Sequence, residues 1–235
     1  MSYSYESIPP GYYDQVFASG AGAQSKWHHH KFERILEELA GSTAHLDFGC
    51  GPGTLVGLLP EQTRAVGVDI AAPQVEYARR HYPLKTFLTI EPGPLPFHDS
   101  SFATASCIEV VEHLTWETDL NTLRELYRVL QPGGKLVLTT PNYQSAWPIV
   151  EWCVNRVATV TYEEQHICKF SAAKLAALLE TTGFSDLTIR PFIFFAPFLA
   201  AVHWKLSDYF QRLDDWVSAL PCCGFSLLAC GRKSP

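Results

Sequence analysis

Between residues 44 and 140, short β-rich runs take turns with helical segments, and no other feature constrains the fold as tightly. The runs at 44–48, 64–69, 86–90, 103–109 and 135–140 have strand length and composition. Segments 54–59, 73–81 and 117–130 have helical periodicity, the last closed by "QPGG". Strand, helix and strand in succession return to one sheet through a right-handed crossover, which sets the strands parallel and helices on both faces. Ser171 caps "AAKLAALLETTG", and "FSDLTIR" and "GFSLLACGRK" supply two further strands, the final one an antiparallel edge. The pattern predicts an α/β fold, a doubly wound and mostly parallel seven-stranded sheet.

Residues 1–41 precede this alternation: an extended arm over 1–25, then a helix in "KWHHHKFERILEELAG" that stops at Gly41. Segments 142–165 and 192–221 interrupt it and are unusually aromatic, so they read as helical insertions and residues 1–235 as one domain. At 235 residues, 47% hydrophobic and 18% charged, the chain can bury a core of that size. Its net charge of −6, with no Lys/Arg run, argues against a general nucleic-acid binder, which needs cationic surface to displace counterions. Seven scattered cysteines without a C-x-x-C pair fit reduced thiols and a cytoplasmic location. The start "MSYSYESIPPGYYDQ" lacks a signal-like apolar core. The apolar run 191–202 is too short to span a bilayer, which leaves peripheral membrane contact open.

In a doubly wound sheet, ligands bind beyond the carboxyl ends of the strands. "LDFGCGPG" (46–53) ends the first strand and opens a helix. Gly49 and Gly51 can adopt angles closed to other residues and present no side chain to a ligand, and Gly53 lets the helix approach the strand. The third glycine comes one residue too early for a dinucleotide fingerprint, and Asp47 would repel a pyrophosphate. An acid in that place suits an ammonium group. "AVGVDI" ends the second strand in Asp69, which can accept two hydrogen bonds from a ribose diol. Ribose and α-ammonium together describe S-adenosyl-L-methionine.

These residues, with "LPFHDSSF" and "VLQPGGKLVLTTPN" further on, resemble the ordered motifs of class I S-adenosylmethionine-dependent methyltransferases over roughly 44–190. A Rossmann domain for another nucleotide is the alternative. The resemblance implies a Rossmann-like methyltransferase fold, a cofactor cradle of Asp47, Gly49, Cys50, Gly51, Gly53, Asp69 and Ile70, and an acid, Glu91, for the adenine amino group. Cys107 and Ile108 would wall the adenine or sulfonium. The chain departs from the family at Pro92, which has no N–H to offer the adenine ring.

"CIEVVEHL" places Glu109, Glu112 and His113 just past the fourth strand, on one face of a turn or first helical coil. Two carboxylates and an imidazole suit Mg²⁺, Mn²⁺ or Zn²⁺; without metal, such residues line a pocket. The E-x-x-E-H pattern resembles ubiquinone-biosynthesis O-methyltransferases and enzymes that methylate the terminal 2′-hydroxyl of small RNAs. The later histidine that both families pair with it corresponds to His166. His113, His166 and Glu112 are thus the candidate catalytic residues, with either histidine able to take a proton. Thr139, Thr140, Pro141 and Asn142 shape the pocket. By the same resemblance Tyr12, Tyr13, Gln24, Trp27 and His28 fold over the cofactor and the aromatic insertions form a substrate roof, which points to a small, lipid-like acceptor. The resulting expectation is methyl transfer to a hydroxyl of a small apolar molecule. The alternatives are an RNA-terminal 2′-O-methyltransferase and a non-catalytic cofactor-binding module.

Overall fold

The computed structural model describes residues 8–157, 166–218, 220 and 223–235. Its strands are β1 (Ala44–Phe48), β2 (Arg64–Asp69), β3 (Thr86–Thr89), β4 (Phe102–Ile108), β5 (Leu130–Pro141), β6 (Ser185–Phe192) and β7 (Ser226–Arg232), in one seven-stranded sheet. Their spatial order is β3-β2-β1-β4-β5-β7-β6. The pairs from β3 to β5 are parallel, and β7 runs antiparallel to both β5 and β6. The antiparallel strand read from the sequence therefore lies one place in, with β6 outermost. Order reverses between β1 and β4, and their carboxyl ends open the crevice where such sheets bind ligands.

The helices are α1 (Tyr12–Ala18), α2 (Gly22–Glu38), α3 (Thr54–Leu58), α4 (Ala72–His81), α5 (Trp116–Val129), α6 (Trp147–Val157), α7 (Ala172–Thr181), α8 (Ala196–Leu199) and α9 (Trp204–Ser218). Side chains alternate across the sheet, so one strand can feed two cores, as β5 does. Leu136 and Leu138 of β5 join the α5 and α7 core, with Leu123, Leu126 and Leu178. Val137 joins Ile35 of α2, Val56 of α3 and Val75 of α4 on the other face.

Two stretches differ from the sequence reading. The arm expected to be extended contains α1, which starts after Gly11 at φ +79°. β5 begins at Leu130 rather than 135, because Leu130 already pairs with Phe102 and "QPGG" is an irregularity inside the strand. Gly133, at φ +74°, supplies the bend there. Parts of the arm and the two insertions (1–7, 158–165, 219, 221–222) lie outside the described residues.

The arm is pinned beside the first glycine loop. Gly11 N–H donates to Gln74 Oε1 (3.0 Å) on α4. The buried Asp14 accepts from Thr54 Oγ1 (2.8 Å), Tyr77 (3.0 Å) and Tyr82 (2.5 Å). Farther along, Asp214 of α9 accepts the amides of Phe194, Phe195 and Ala196, capping α8 from a distance. Trp27 of α2 packs among Trp147, Phe198 and Phe225 at centroid distances of 5.7, 6.2 and 6.3 Å, so α2, α6 and α8 meet in an aromatic cluster.

Candidate active site

Gly49, Gly51 and Gly53 all have left-handed φ, at +72°, +51° and +84°. Gly49 and Cys50 both donate their N–H to Val68 O, at 2.8 and 3.0 Å. Gly51 donates to Asp69 Oδ2 (2.8 Å), Gly53 to Cys50 O (3.0 Å), and Pro52 has no N–H. Every amide of the loop is thus engaged within the protein. A phosphate cradle works by offering such amides; this turn has none to offer and lies between two acids, Asp47 and Asp69, which suits a cation.

Gly49 also has a packing reason. A Cβ there would come within 2.4 Å of Val110 Cγ2, in the turn that carries the Glu109–His113 cluster. The glycine lets the two motifs touch. Gly49→Ala combines left-handed strain with this clash and is expected to destabilise the fold by about 2–4 kcal/mol. A chemical-denaturation midpoint unchanged by that substitution would refute the packing.

Asp47, 3% exposed, lies at the carboxyl end of β1 and accepts from Ser106 Oγ at 2.5 Å. Burial pushes its carboxyl up to about 7, with Asp69 adding to the rise and Ser106 opposing it. Asp69 is raised too, chiefly by burial, although it accepts Gly51 N–H and Ala71 N–H (2.8 Å). Ile70 beside it is 59% exposed, an apolar flank open to a ligand. Ile90 N–H donates to Asp69 O (3.0 Å), which ties the segment carrying the exposed Glu91 to the tip of β2. Half-buried Ile108 ends β4. Cys50 is different: its side chain is buried in the α3/α4 core against Gly67, so any ligand contact from it comes through the backbone.

A carboxyl that titrates near 7 in the native state and at 3.8 in its ordinary state keeps extra protons on the folded protein between those values. Stability from this group therefore falls as pH rises through that window and levels off above it, by on the order of 4 kcal/mol. Asp47→Asn is expected to flatten that part of the stability profile, measured by urea denaturation at several pH values.

The acid–acid–histidine cluster divides. Val111–His113 forms one 3-10 turn, and the ligand atoms of Glu112, His113 and His166 all lie within 4.8 Å of one another. Glu109, expected as a ligand, instead accepts from Thr139 Oγ1 (2.7 Å). Its left-handed φ of +55° turns the chain out of β4. His166 takes the third position because Ile167 and Cys168 both donate their N–H to Glu112 O, drawing that segment in. Glu112 is 1% exposed and accepts from Thr140 Oγ1 (2.9 Å). Burial raises its carboxyl well above the usual range, Glu109 adds to this, and Thr140 and Lys31 of α2 oppose it. His166 Nδ1 meets Glu151 Oε1 of α6 at 2.5 Å and Tyr143 Oη at 2.7 Å.

Sequence reasoning missed Glu151, Tyr143, Asp14 and Lys31. No spacing links Glu151 to His166, since the chain between them passes through residues 158–165. Of the proposed cover, Tyr13 packs edge-on against His28 (5.7 Å), Tyr12 donates to Gln24 (3.3 Å), and Trp27 joins the aromatic cluster.

This fold, carrying an acid-tipped glycine loop at its switch point, defines a class of nucleoside-cofactor proteins. Residues 23–189 match the methyltransferase domain family, and the chain belongs to it, within the class I S-adenosylmethionine-dependent methyltransferases. A probable S-adenosylmethionine-dependent methyltransferase of Mycolicibacterium smegmatis is 30% identical over 70% of this chain and 62% of its own length. An uncharacterised transposon-encoded protein of Streptomyces fradiae is 33% identical over 80% and 56%. The chain thus spans about three-fifths of these relatives. Among solved structures, a possible histamine N-methyltransferase of Thermotoga maritima covers 94% of this chain and 95% of its own, with TM-score 0.67 and 18% identity. A [4+2]-cyclase, SpnF, shares the fold at TM-score 0.58 and 22% identity, covering 87% of this chain and 80% of its own.

Proposed function

We propose that the chain transfers a methyl group from S-adenosyl-L-methionine to a hydroxyl of a small, apolar molecule. One observation carries this reading: the glycine turn has no amide left for a phosphate, lies between the acids that tip β1 and β2, and packs directly on the turn that carries Glu112 and His113. The residues fit the cofactor. Asp47 receives its ammonium, Asp69 its ribose diol and Glu91 the adenine amino group, while Ile70 and Ile108 flank the rings. Transfer is an in-line displacement on an activated carbon, so orientation supplies most of the acceleration.

His166 is placed to take the hydroxyl proton. Glu151 and Tyr143 hold its Nδ1 side and fix the orientation of the ring. His113 lies across from it at a ring distance of 5.2 Å. Glu112, His113 and His166, one carboxylate and two imidazoles, also suit a divalent cation in spacing, and in donor type Zn²⁺ or Mn²⁺ more than Mg²⁺. Base and cation are alternatives at His166: a cation held there would take up the lone pair that otherwise accepts the proton, and would instead lower the pKa of a coordinated hydroxyl.

The aromatic cluster around Trp27 supports a lipid-like acceptor, as do Trp152 of α6 and Tyr209, Leu213 and Trp216 of α9, all exposed. Among the described residues, no helix is long and apolar enough to cross a membrane. Buried thiols at Cys50, Cys107, Cys168 and Cys230 suit the cytoplasm. The net charge of −6 weighs against an RNA acceptor. Because a cyclase can share this fold, the deciding experiment follows the methyl group: methyl-labelled cofactor with a panel of phenols, catechols and long-chain alcohols. Label in an ether product supports the reading, and cofactor binding with no transfer to any hydroxyl rejects it.

A further inference from the structure

His45 and Asp47 face the same side of β1, and β4 sets Thr104 and Ser106 beside them in register. Side-chain hydrogen bonds join these four to Ser42 in one unbroken chain. The distances are 2.7 Å from Ser42 Oγ to Thr104 Oγ1, 2.8 Å from Thr104 Oγ1 to His45 Nδ1, and 2.9 Å from His45 Nε2 to Ser106 Oγ. The last link, Ser106 Oγ to Asp47 Oδ1, is 2.5 Å. His45 and Ser106 are fully buried, flanked in register by Ala65 and Val137. Apolar side chains would fill that position without the cost of desolvating a histidine. The chain also ends at two openings. Asp47 lies at the cofactor crevice; Ser42 and Thr104 line a cleft of about 210 Å³ at the opposite end of the strands, beside Glu38, Lys135 and Arg232.

We propose that these residues form a proton relay that sets the charge of Asp47 from the far end of the sheet, with His45 as the positioning residue that switches tautomer. The consequence for binding rests on the reading of Asp47 as the acceptor of the cofactor ammonium. With Asp47 ionised, Ser106 donates to it, His45 Nε2–H to Ser106, Thr104 to His45 Nδ1, and Ser42 to Thr104. A proton arriving from water at Ser42 moves each of these hydrogens one place onward. Asp47 ends as the neutral acid and His45 carries Nδ1–H instead of Nε2–H, one proton having left the water and one having reached the carboxyl. Docking of an ammonium group runs the sequence backwards and returns the proton to the cleft.

The groups facing Asp47 permit this. Asp69 on β2 raises its affinity for a proton. The thiols of Cys50 in the loop and Cys107 on β4 are held neutral by burial. Burial also pushes His45 down to about 3, so it relays as a neutral ring and never rests as a cation.

Nitrogen-15 NMR of the His45 ring in the ligand-free protein, between about pH 5 and 9, tests the relay without any cofactor. The expected result is one ring proton moving from Nδ1 to Nε2 as Asp47 ionises, with no imidazolium signal, and loss of the switch in Ser106→Ala. A single tautomer throughout, or a switch that survives Ser106→Ala, overturns it. Calorimetry with S-adenosylhomocysteine in buffers of different ionisation enthalpy then reads the coupling. Wild type should release a proton near neutrality. Ser106→Ala should move the affinity profile up by about one pH unit, so binding is about tenfold weaker near neutrality and unchanged at high pH. Loss at every pH would indicate mere structural damage and count against the relay. Binding without proton release also overturns the coupling. A wild type that switches tautomer but does not bind the ligand fails the cofactor reading alone.

Discussion

Asp69→Ala is expected to weaken S-adenosylhomocysteine binding by at least about 100-fold, the largest loss of any single change in the cradle. The carboxylate does two jobs. It holds the amides of Gly51 and Ala71, at 2.8 Å each, and so shapes the turn. In the proposed complex it also accepts both ribose hydroxyls, each such charge-assisted bond contributing about 1.5–3 kcal/mol. Alanine removes the ligand contacts and leaves two buried N–H groups unpaired. Asp69→Asn keeps one acceptor and is expected to lose only about tenfold. Calorimetry on both variants separates the effects, and Asp69→Ala binding as tightly as wild type would place the ribose elsewhere.

Replacing Glu112 by glutamine, or His166 by alanine, is expected to lower labelled methyl transfer by about 10²–10³-fold while cofactor binding stays intact. Both residues belong to the group whose ligand atoms come within 4.8 Å of one another, so each should also weaken Mn²⁺ or Zn²⁺ binding by about 100-fold. Glu109→Gln is the contrasting variant. Its side chain accepts from Thr139 rather than joining that group, so cation binding should survive. If Glu109→Gln abolishes the cation and His166→Ala does not, the assignment of the third ligand is wrong. If wild type binds no cation yet His166→Ala loses turnover, His166 works as a base alone.

The sheet was legible because its signals are local. Each of β1, β2 and β4 is a short apolar run followed by turn residues, and Gly49, Gly51 and Gly53 announce a backbone that side chains would obstruct. Where a glycine could serve two structures, local reading failed. "QPGG" looks like a terminator, yet Leu130 pairs with Phe102 and the glycines become an irregularity inside β5. The short helix α1 follows from Gly11 and from anchoring by Asp14 on α3 and α4, partners 40 to 68 positions away.

The same division runs through the site. Strand–helix alternation and the acid at each strand tip are covalent facts of order and spacing, so the sequence determined the sheet, its switch point and the candidate cradle of Asp47 and Asp69. Which nitrogen faces which oxygen was decided only in three dimensions. The approach of His166 to Glu112 and His113 depends on two backbone amides reaching Glu112 O, and the Ser42-to-Asp47 chain depends on the register of β1 against β4. Both are set by how elements distant in sequence pack, and no spacing along the chain encodes that distance.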